Sequence, residues 1–275
     1  MTDEKPTALI TGSTSGLGLE LSRRLAAAGW RVVVHGRDPG RVEALAAELG
    51  GPALPVVADL SALAEVAALA EQVARLAPRL SVLVNNAGVG FGAPGATRQV
   101  SRDGHELRFA VNYLAPVLLS RLLIPALLAA APARIVNVGS GGQIPFDPRD
   151  AAFTDGYDGV VAYRRSKLAL AAFTFELAES LRGTGVTVNV LHPASFMPTA
   201  MVLESEVQPW STLESGVRPT LRLIADPALA GVSGVYFDGD VESRALPEAY
   251  DVRFRHSLRD VTDRLLSPFI AAIPE

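Results

Sequence analysis

A doubly wound α/β fold is predicted by two features of this chain. Short, continuously apolar runs alternate with longer helical patterns along most of its length, the pattern of a parallel sheet covered on both faces. The first apolar run also passes directly into a glycine-rich turn, TGSTSGLG, that opens a helix. The strand runs are 8–11, 31–35, 54–57, 81–84, 134–138, 186–191 and 235–237, which gives a sheet of about seven strands. Helical segments lie between them at 17–28, 40–49, 62–76 and 103–128. Two irregular stretches, 139–159 and 193–219, are rich in glycine, proline and acids and follow strands. In such sheets ligands bind outside the carboxyl ends of the strands, so chemistry is expected there.

Composition narrows the function. A chain of 275 residues with 49% hydrophobic content can build one large core, and nothing marks a second domain, so residues 1–275 are read as one. The net charge of −4 and dispersed arginines give no footprint for nucleic acid. Absence of cysteine excludes disulfides and thiolate metal sites, and the four histidines are scattered, so no metal is expected. The N-terminus has acids where a secretory signal needs basic residues. The longest apolar stretch, 110–133, contains Asn112, Arg121 and two prolines and reads as a buried helix rather than a membrane span. A cytoplasmic protein is expected.

The glycine turn places Gly12, Gly16 and Gly18 where backbone can approach a pyrophosphate, beside the free N–H groups of a helix beginning near Leu17. Its spacing is G-x-x-x-G-x-G, and taken alone it is equally an ordinary tight turn. After the second strand, where an acid normally holds the ribose 2′-hydroxyl of an unphosphorylated dinucleotide, stand Gly36 and Arg37, with Arg41 a helical turn on. Space at the glycine and guanidinium donors favour a 2′-phosphate, hence NADP(H) over NAD(H). The competing reading makes Arg37 a surface cation and gives the acid's part to Asp38. Asp59 ends the third strand, able to accept from an adenine amino group or to cap the next helix. Asn85, Asn86, Ala87 and Gly88 end the fourth, with a largely structural part in joining strand ends. Asn112, in an apolar helix, must satisfy its own hydrogen-bonding groups.

Tyr163 and Lys167 lie one helical turn apart. Among 25 basic residues only Lys5 and Lys167 are lysines, so position 167 stands out as needing a compact point charge that guanidinium cannot imitate. An isolated pair of this kind is more often a surface pair on a helix. Ser140, after strand five, can donate to a carbonyl or simply belong to a turn. His192 reads as a packed strand-end residue, and the apolar segment with Phe196, Met197, Met201, Val202 and Trp210 as a substrate lid or a satellite core.

In order, TGSTSGLG, Asp59, NNAG, Asn112, Ser140, Tyr163 with Lys167, and Pro193 resemble the short-chain dehydrogenase/reductase family over essentially the whole chain. The resemblance implies a single Rossmann-type domain in which Tyr163 is the acid/base and Lys167 lowers its pKa and holds the nicotinamide ribose. Ser140 would orient the carbonyl, and Asn112 would hold a water of a proton relay. The cofactor would be bound by Gly12, Ser13, Ser15, Gly16, Leu17, Gly18, Arg37, Arg41, Asp59, Leu60, Asn86, Ala87, Gly88, Tyr163, Lys167 and Pro193. Gly141, Phe196, Met197, Met201 and Trp210 would line the substrate pocket, under a lid at about 194–219.

An insertion at about 141–159, with DGHELRFAVNYLAP, SKLAL and YFDG, looks like the branch of retinol dehydrogenases and protochlorophyllide reductases. Ala194 stands where the family has glycine, and Gly139 replaces a common serine. The expected activity is NADP(H)-dependent interconversion of an alcohol with a ketone or aldehyde on a medium-sized apolar substrate. Reduction of a carbon–carbon double bond is the alternative, and a non-catalytic NADP-binding sensor a more distant one. The apolar circumference of LALAAFTFELAESL implies either a homo-oligomer built on that helix or cover by the C-terminal region 247–273.

Overall fold

The computed structural model describes residues 5–270. Eight strands form one sheet: β1 Thr7–Ile10, β2 Arg31–Gly36, β3 Leu54–Val57, β4 Val82–Asn85, β5 Ala133–Val138, β6 Val186–His192, β7 Tyr236–Asp238 and β8 Val241–Ser243. Their order is β3-β2-β1-β4-β5-β6-β7-β8. All neighbours are parallel except β7 and β8, which form an antiparallel hairpin. The sequence reading reached the doubly wound sheet and lacked only β8. That strand's residues are all exposed, so it carries none of the apolar signature that marks the other strands.

Nine helices surround the sheet among the described residues: α1 Gly16–Ala27, α2 Pro39–Leu49, α3 Leu63–Leu76, α4 Leu107–Phe109, α5 Ala115–Ala129, α6 Gly159–Ser180, α7 Ala200–Glu204, α8 Leu213–Ala225 and α9 Val252–Ile270. Side chains alternate across the pleat, so each strand feeds two cores. Ala8, Ile10, Val32 and Val34 pack with α1, α2 and α8, while Leu9, Val33, Leu83 and Ile135 pack with α3, α5, α6 and α9. The continuous helix 107–129 is long and apolar enough to cross a membrane by length and composition, and most of it is buried within this fold.

Helix α9 lies on the outer side of α5 and α6. Arg259 and Arg255 pair with Glu176 and Glu179 at 3.1 Å each, and Arg121 pairs with Asp263 at 2.6 Å. The Tyr113 and Thr262 hydroxyls meet at 2.7 Å. The C-terminal helix therefore covers the apolar circumference of α6, which removes the reason to expect an oligomer built on it. Residues 271–273 of the expected cover lie outside the described residues.

The insertion is packed down. Phe153 is buried edge-on to Phe109 and Phe146, and Phe146 meets Phe254 of α9. The Arg165 guanidinium lies over the Phe153 ring and pairs with Asp150 at 3.1 Å.

Candidate active site

The chain reverses direction across the sheet between β1 and β4, and the carboxyl-end loops after β1, β4, β5 and β6 converge beside that switch point. In the glycine turn, Gly12 and Gly16 hold φ of +69° and +53°, in the left-handed region that glycine tolerates without strain. A Cβ on Gly18 would lie 2.3 Å from the Gly12 carbonyl oxygen, so close packing of helix on turn requires glycine there. Ser15 is exposed at the N-cap of α1 and makes no side-chain capping bond, which leaves that terminus with free donors. Leu17, by contrast, is buried beneath the turn.

Ser13 proves to be scaffold rather than ligand. Its buried hydroxyl donates to the Ile10 carbonyl and accepts from the His35 N–H, and its own N–H donates to the His35 carbonyl. His35, which the sequence did not single out, is the buttress of the turn. Its Nδ1 accepts from Gly12 N–H at 3.1 Å while Nε2 faces the Ala58 carbonyl at 3.2 Å. Burial lowers its pKa to about 4, so the ring is the neutral Nε2–H tautomer.

Gly36 has a different reason from the one expected. A Cβ there would lie 2.9 Å from both Thr14 Cγ2 and Val42 Cγ2, so the space is filled by side chains and is not held open for a phosphate. Arg37 is exposed and makes no hydrogen bond or ion pair among the described residues. Arg41 instead donates to the Thr14 carbonyl at 2.8 Å and braces the turn. Asp38 caps α2, accepting from the Arg41 N–H. Asp59 accepts from the Ser61 N–H at 2.9 Å and lies 3.6 Å from Arg102. Partial burial works against its charge, but the Ser61 hydrogen bonds and the Arg102 and Arg37 charges hold its pKa below the usual value. Leu60 packs in the core, leaving only its main chain for a ligand.

The NNAG run joins strand ends. Asn86 donates to the Thr11 carbonyl at 2.8 Å, and the Thr11 hydroxyl accepts from the N–H groups of Asn86 and Ala87 at 3.0 Å each. Gly88 faces Asn112, whose carboxamide spans Val89, accepting from its N–H at 2.7 Å and donating to its carbonyl at 2.9 Å. Asn112 also donates to the Ser166 hydroxyl at 3.1 Å. Both N–H donors of its side chain are thereby engaged with protein groups, and Oδ1 keeps one acceptor position beyond the Val89 N–H. It sits in a π-helical turn, Ala110–Leu114, in which the Ala115 N–H bonds back to the Ala110 carbonyl. Such widened turns cluster at functional sites.

Ser140 and Tyr163 come together beyond the carboxyl end of β5, where the serine hydroxyl accepts from the Gly142 N–H at 3.0 Å and lies close enough to the phenol to favour its ionised form. Burial pushes the Tyr163 pKa up, against a smaller downward pull from Ser140. Lys167 is buried, donates from Nζ to the Val138 carbonyl at 2.8 Å and stands 5.6 Å from the Tyr163 ring centroid. Burial lowers its own pKa to about 8. In the protein chain alone, loss of hydration sets the direction of the Tyr163 shift, upward. The Ser140 carbonyl is fixed by Gln143 at 2.9 Å and by the Tyr236 hydroxyl at 3.1 Å, two residues that the sequence reading missed. A Cβ on Gly139 would lie 2.7 Å from Val190 Cγ2, which accounts for the missing first serine.

A glycine turn with an uncapped helix, followed along one sheet edge by Ser140, Tyr163 and buried Lys167, is matched by one family description. The model for short chain dehydrogenases matches residues 6–209. The chain belongs to the short-chain dehydrogenase family. This dehydrogenase is 35% identical to human retinol dehydrogenase 14, over 94% of its own length and 85% of the relative's. Its fold is similar to that of a Brucella melitensis 3-ketoacyl-(acyl-carrier-protein) reductase complexed with NADH, at TM-score 0.69 and 27% identity over 86% of this chain and 96% of that one. It is also similar to a Pseudomonas aeruginosa RhlG/NADP complex, at TM-score 0.70 and 28% identity over 86% and 95%.

The pocket residues of the dehydrogenase divide. Met201 abuts the loop after β4: a Cβ on Gly90 would lie 2.5 Å from its Cγ. Phe196 and Trp210 pack edge-on at 4.9 Å, with Trp210 74% exposed, and Gly141 lies along the His192 ring. Met197 leaves the pocket, because it is buried against Gly216 of α8 in the opposite core. Pro193 is buried against the same glycine. Thr199, which the sequence reading passed over, contacts Gly16 and ties the lid segment to the glycine turn. Phe91, also missed, stands edge-on to Tyr163 at 5.7 Å.

Proposed function

We propose that this short-chain dehydrogenase is an NADP(H)-dependent enzyme of the cytoplasm that interconverts an alcohol with a ketone or aldehyde on a medium-sized apolar molecule. The observation that carries this reading is the Ser140–Tyr163 pair beside the buried Lys167 ammonium. The residues fit a dinucleotide: Gly12, Gly16 and Gly18 allow close backbone approach, the α1 N-terminus has free donors, and Arg37 offers a 2′-phosphate an exposed guanidinium without a side-chain hydrogen bond among the described residues. When bound, the nicotinamide cofactor supplies hydride to the carbonyl carbon or accepts it from the alcohol.

The chain's own residues manage charge and protons. Negative charge develops on the substrate oxygen during reduction, and Tyr163, kept protonated by burial, holds the proton that neutralises it. The Ser140 hydroxyl donates to that oxygen, and Gln143 and Tyr236 keep the serine's main chain in place. Lys167 favours the phenolate left on Tyr163. Phe91, Met201, Phe196 and Trp210 support an apolar substrate.

Titration with NADPH and NADH, followed by nicotinamide fluorescence, tests the cofactor assignment. Selective NADPH binding that weakens roughly tenfold or more in Arg37→Asp is expected, since a bidentate phosphate contact becomes a repulsion. Equal affinity for both cofactors would remove Arg37 from this part. Products formed from an enone then separate carbonyl reduction, which yields the allylic alcohol, from double-bond reduction, which yields the saturated ketone.

A further inference from the structure

Two charges lie buried beside the catalytic residues without touching them. Glu106 and Arg108 are 0% and 1% exposed and stand 3.3 Å apart. Apolar residues of similar volume hold a core at least as well as such a pair, so what the pair fixes matters more than the stability it adds. Its hydrogen bonds tie together three segments, the start of α4, the loop after β4 and the insertion. Glu106 accepts from the Phe109 N–H at 2.8 Å, anchoring itself at the start of α4. Arg108 Nε donates to the Gly90 carbonyl at 2.9 Å, and its Nη1 donates to the Tyr157 hydroxyl at 2.8 Å. Tyr157, from the insertion, donates to Glu106 at 3.0 Å, and burial followed by the Glu106 charge pushes its pKa up to about 12, so it remains a donor. The packing allows little slack, since a Cβ on Gly159 would lie 2.3 Å from the Phe91 carbonyl oxygen and one on Gly92 2.9 Å from Arg108 Nη2.

Gly90 and Phe91 are thus held from below by Arg108, flanked by the insertion and covered by Met201. Phe91 presents its ring to Tyr163. We propose that the Glu106–Arg108–Tyr157 cluster is a positioning device that sets Phe91 as the wall of the substrate pocket and thereby selects substrates by size. The inference rests on the functional reading above, in which Tyr163 meets the substrate.

The test compares kcat/KM for a bulky aryl ketone and a small aliphatic ketone, together with NADPH affinity, in the wild-type enzyme, Tyr157→Phe, Phe91→Ala and the double variant. Tyr157→Phe removes one hydroxyl and leaves the ion pair intact. The bulky-to-small ratio should shift roughly tenfold, mainly through KM for the bulky ketone, with NADPH affinity unchanged. Phe91→Ala should shift the same ratio, and Tyr157→Phe should add nothing in that background. A lower melting temperature with an unaltered ratio, or shifts that simply add in the double variant, would overturn the proposal. A wild-type protein that binds no nicotinamide cofactor counts against the functional reading, whereas active variants with wild-type ratios count against the positioning device alone.

Discussion

Tyr163, half-buried, and Lys167, buried, share one corner, and loss of hydration acts on them in opposite directions, up for the phenol and down to about 8 for the ammonium. Each loses hydration of its charged form, so the phenol keeps its proton, while the ammonium, at about 8, is still mostly charged at neutral pH. His35 follows the same rule with a different outcome. Its ordinary pKa of 6.5 falls to about 4 in the folded protein, so as pH drops the unfolded chain takes up the proton first. Stability present above pH 6.5 is therefore lost as pH falls towards 4, by up to about 3 kcal/mol. Because protonation of the folded ring also ends acceptance from the Gly12 N–H, cofactor affinity should hold down to about pH 5 and fall as pH approaches 4. Thermal melts and NADPH titrations across that range check both, and His35→Leu should flatten the His35 part of the stability profile. Asn112→Ala should cost about 2 kcal/mol by leaving the Val89 N–H and carbonyl unpaired, measurable by denaturant unfolding.

The turn between β1 and α1 carries the most sequence-legible part of the site. Its glycines answer two demands that sequence alone can state, positive φ at Gly12 and Gly16 and close packing at Gly18. Gly18→Ala would set a Cβ 2.3 Å from the Gly12 carbonyl oxygen, and a loss of about 2 kcal/mol with weaker NADPH binding is expected from melts and titration. Strands β1, β2 and β4 to β6 were legible because burial on both faces leaves continuous apolar runs, and β3 and β7 because they keep apolar residues although Pro55, Val57 and Asp238 are exposed. Strand β8, exposed throughout, has no such signature. Gly36 and Ser13 show a second limit. Both stand where a ligand contact is expected, yet Thr14 and Val42 fill the space at one and backbone groups engage the other. Pattern locates a residue near a site, but only packing tells which side of the backbone it serves. The π turn at Asn112 and the Arg108–Tyr157 contact depend on distant segments meeting, which no local pattern encodes.

Across the whole molecule, α9 closes the face that the α6 sequence leaves apolar, using ion pairs at its edge and the Tyr113–Thr262 contact between them. Sedimentation at micromolar concentration should therefore show a monomer, whereas a stable dimer would require a face other than that of α5 and α6. The lid segment, the loop after β4, the insertion and the glycine turn all meet at one edge of the sheet, so binding and proton transfer are separable by substitution. Tyr163→Phe removes the proton and leaves the glycine turn and Arg37 untouched. Single-turnover reduction of an apolar ketone by enzyme saturated with NADPH should slow by roughly a hundredfold to ten-thousandfold in that variant, with cofactor affinity unchanged. Turnover at the wild-type rate would contradict the assignment of Tyr163 as the acid.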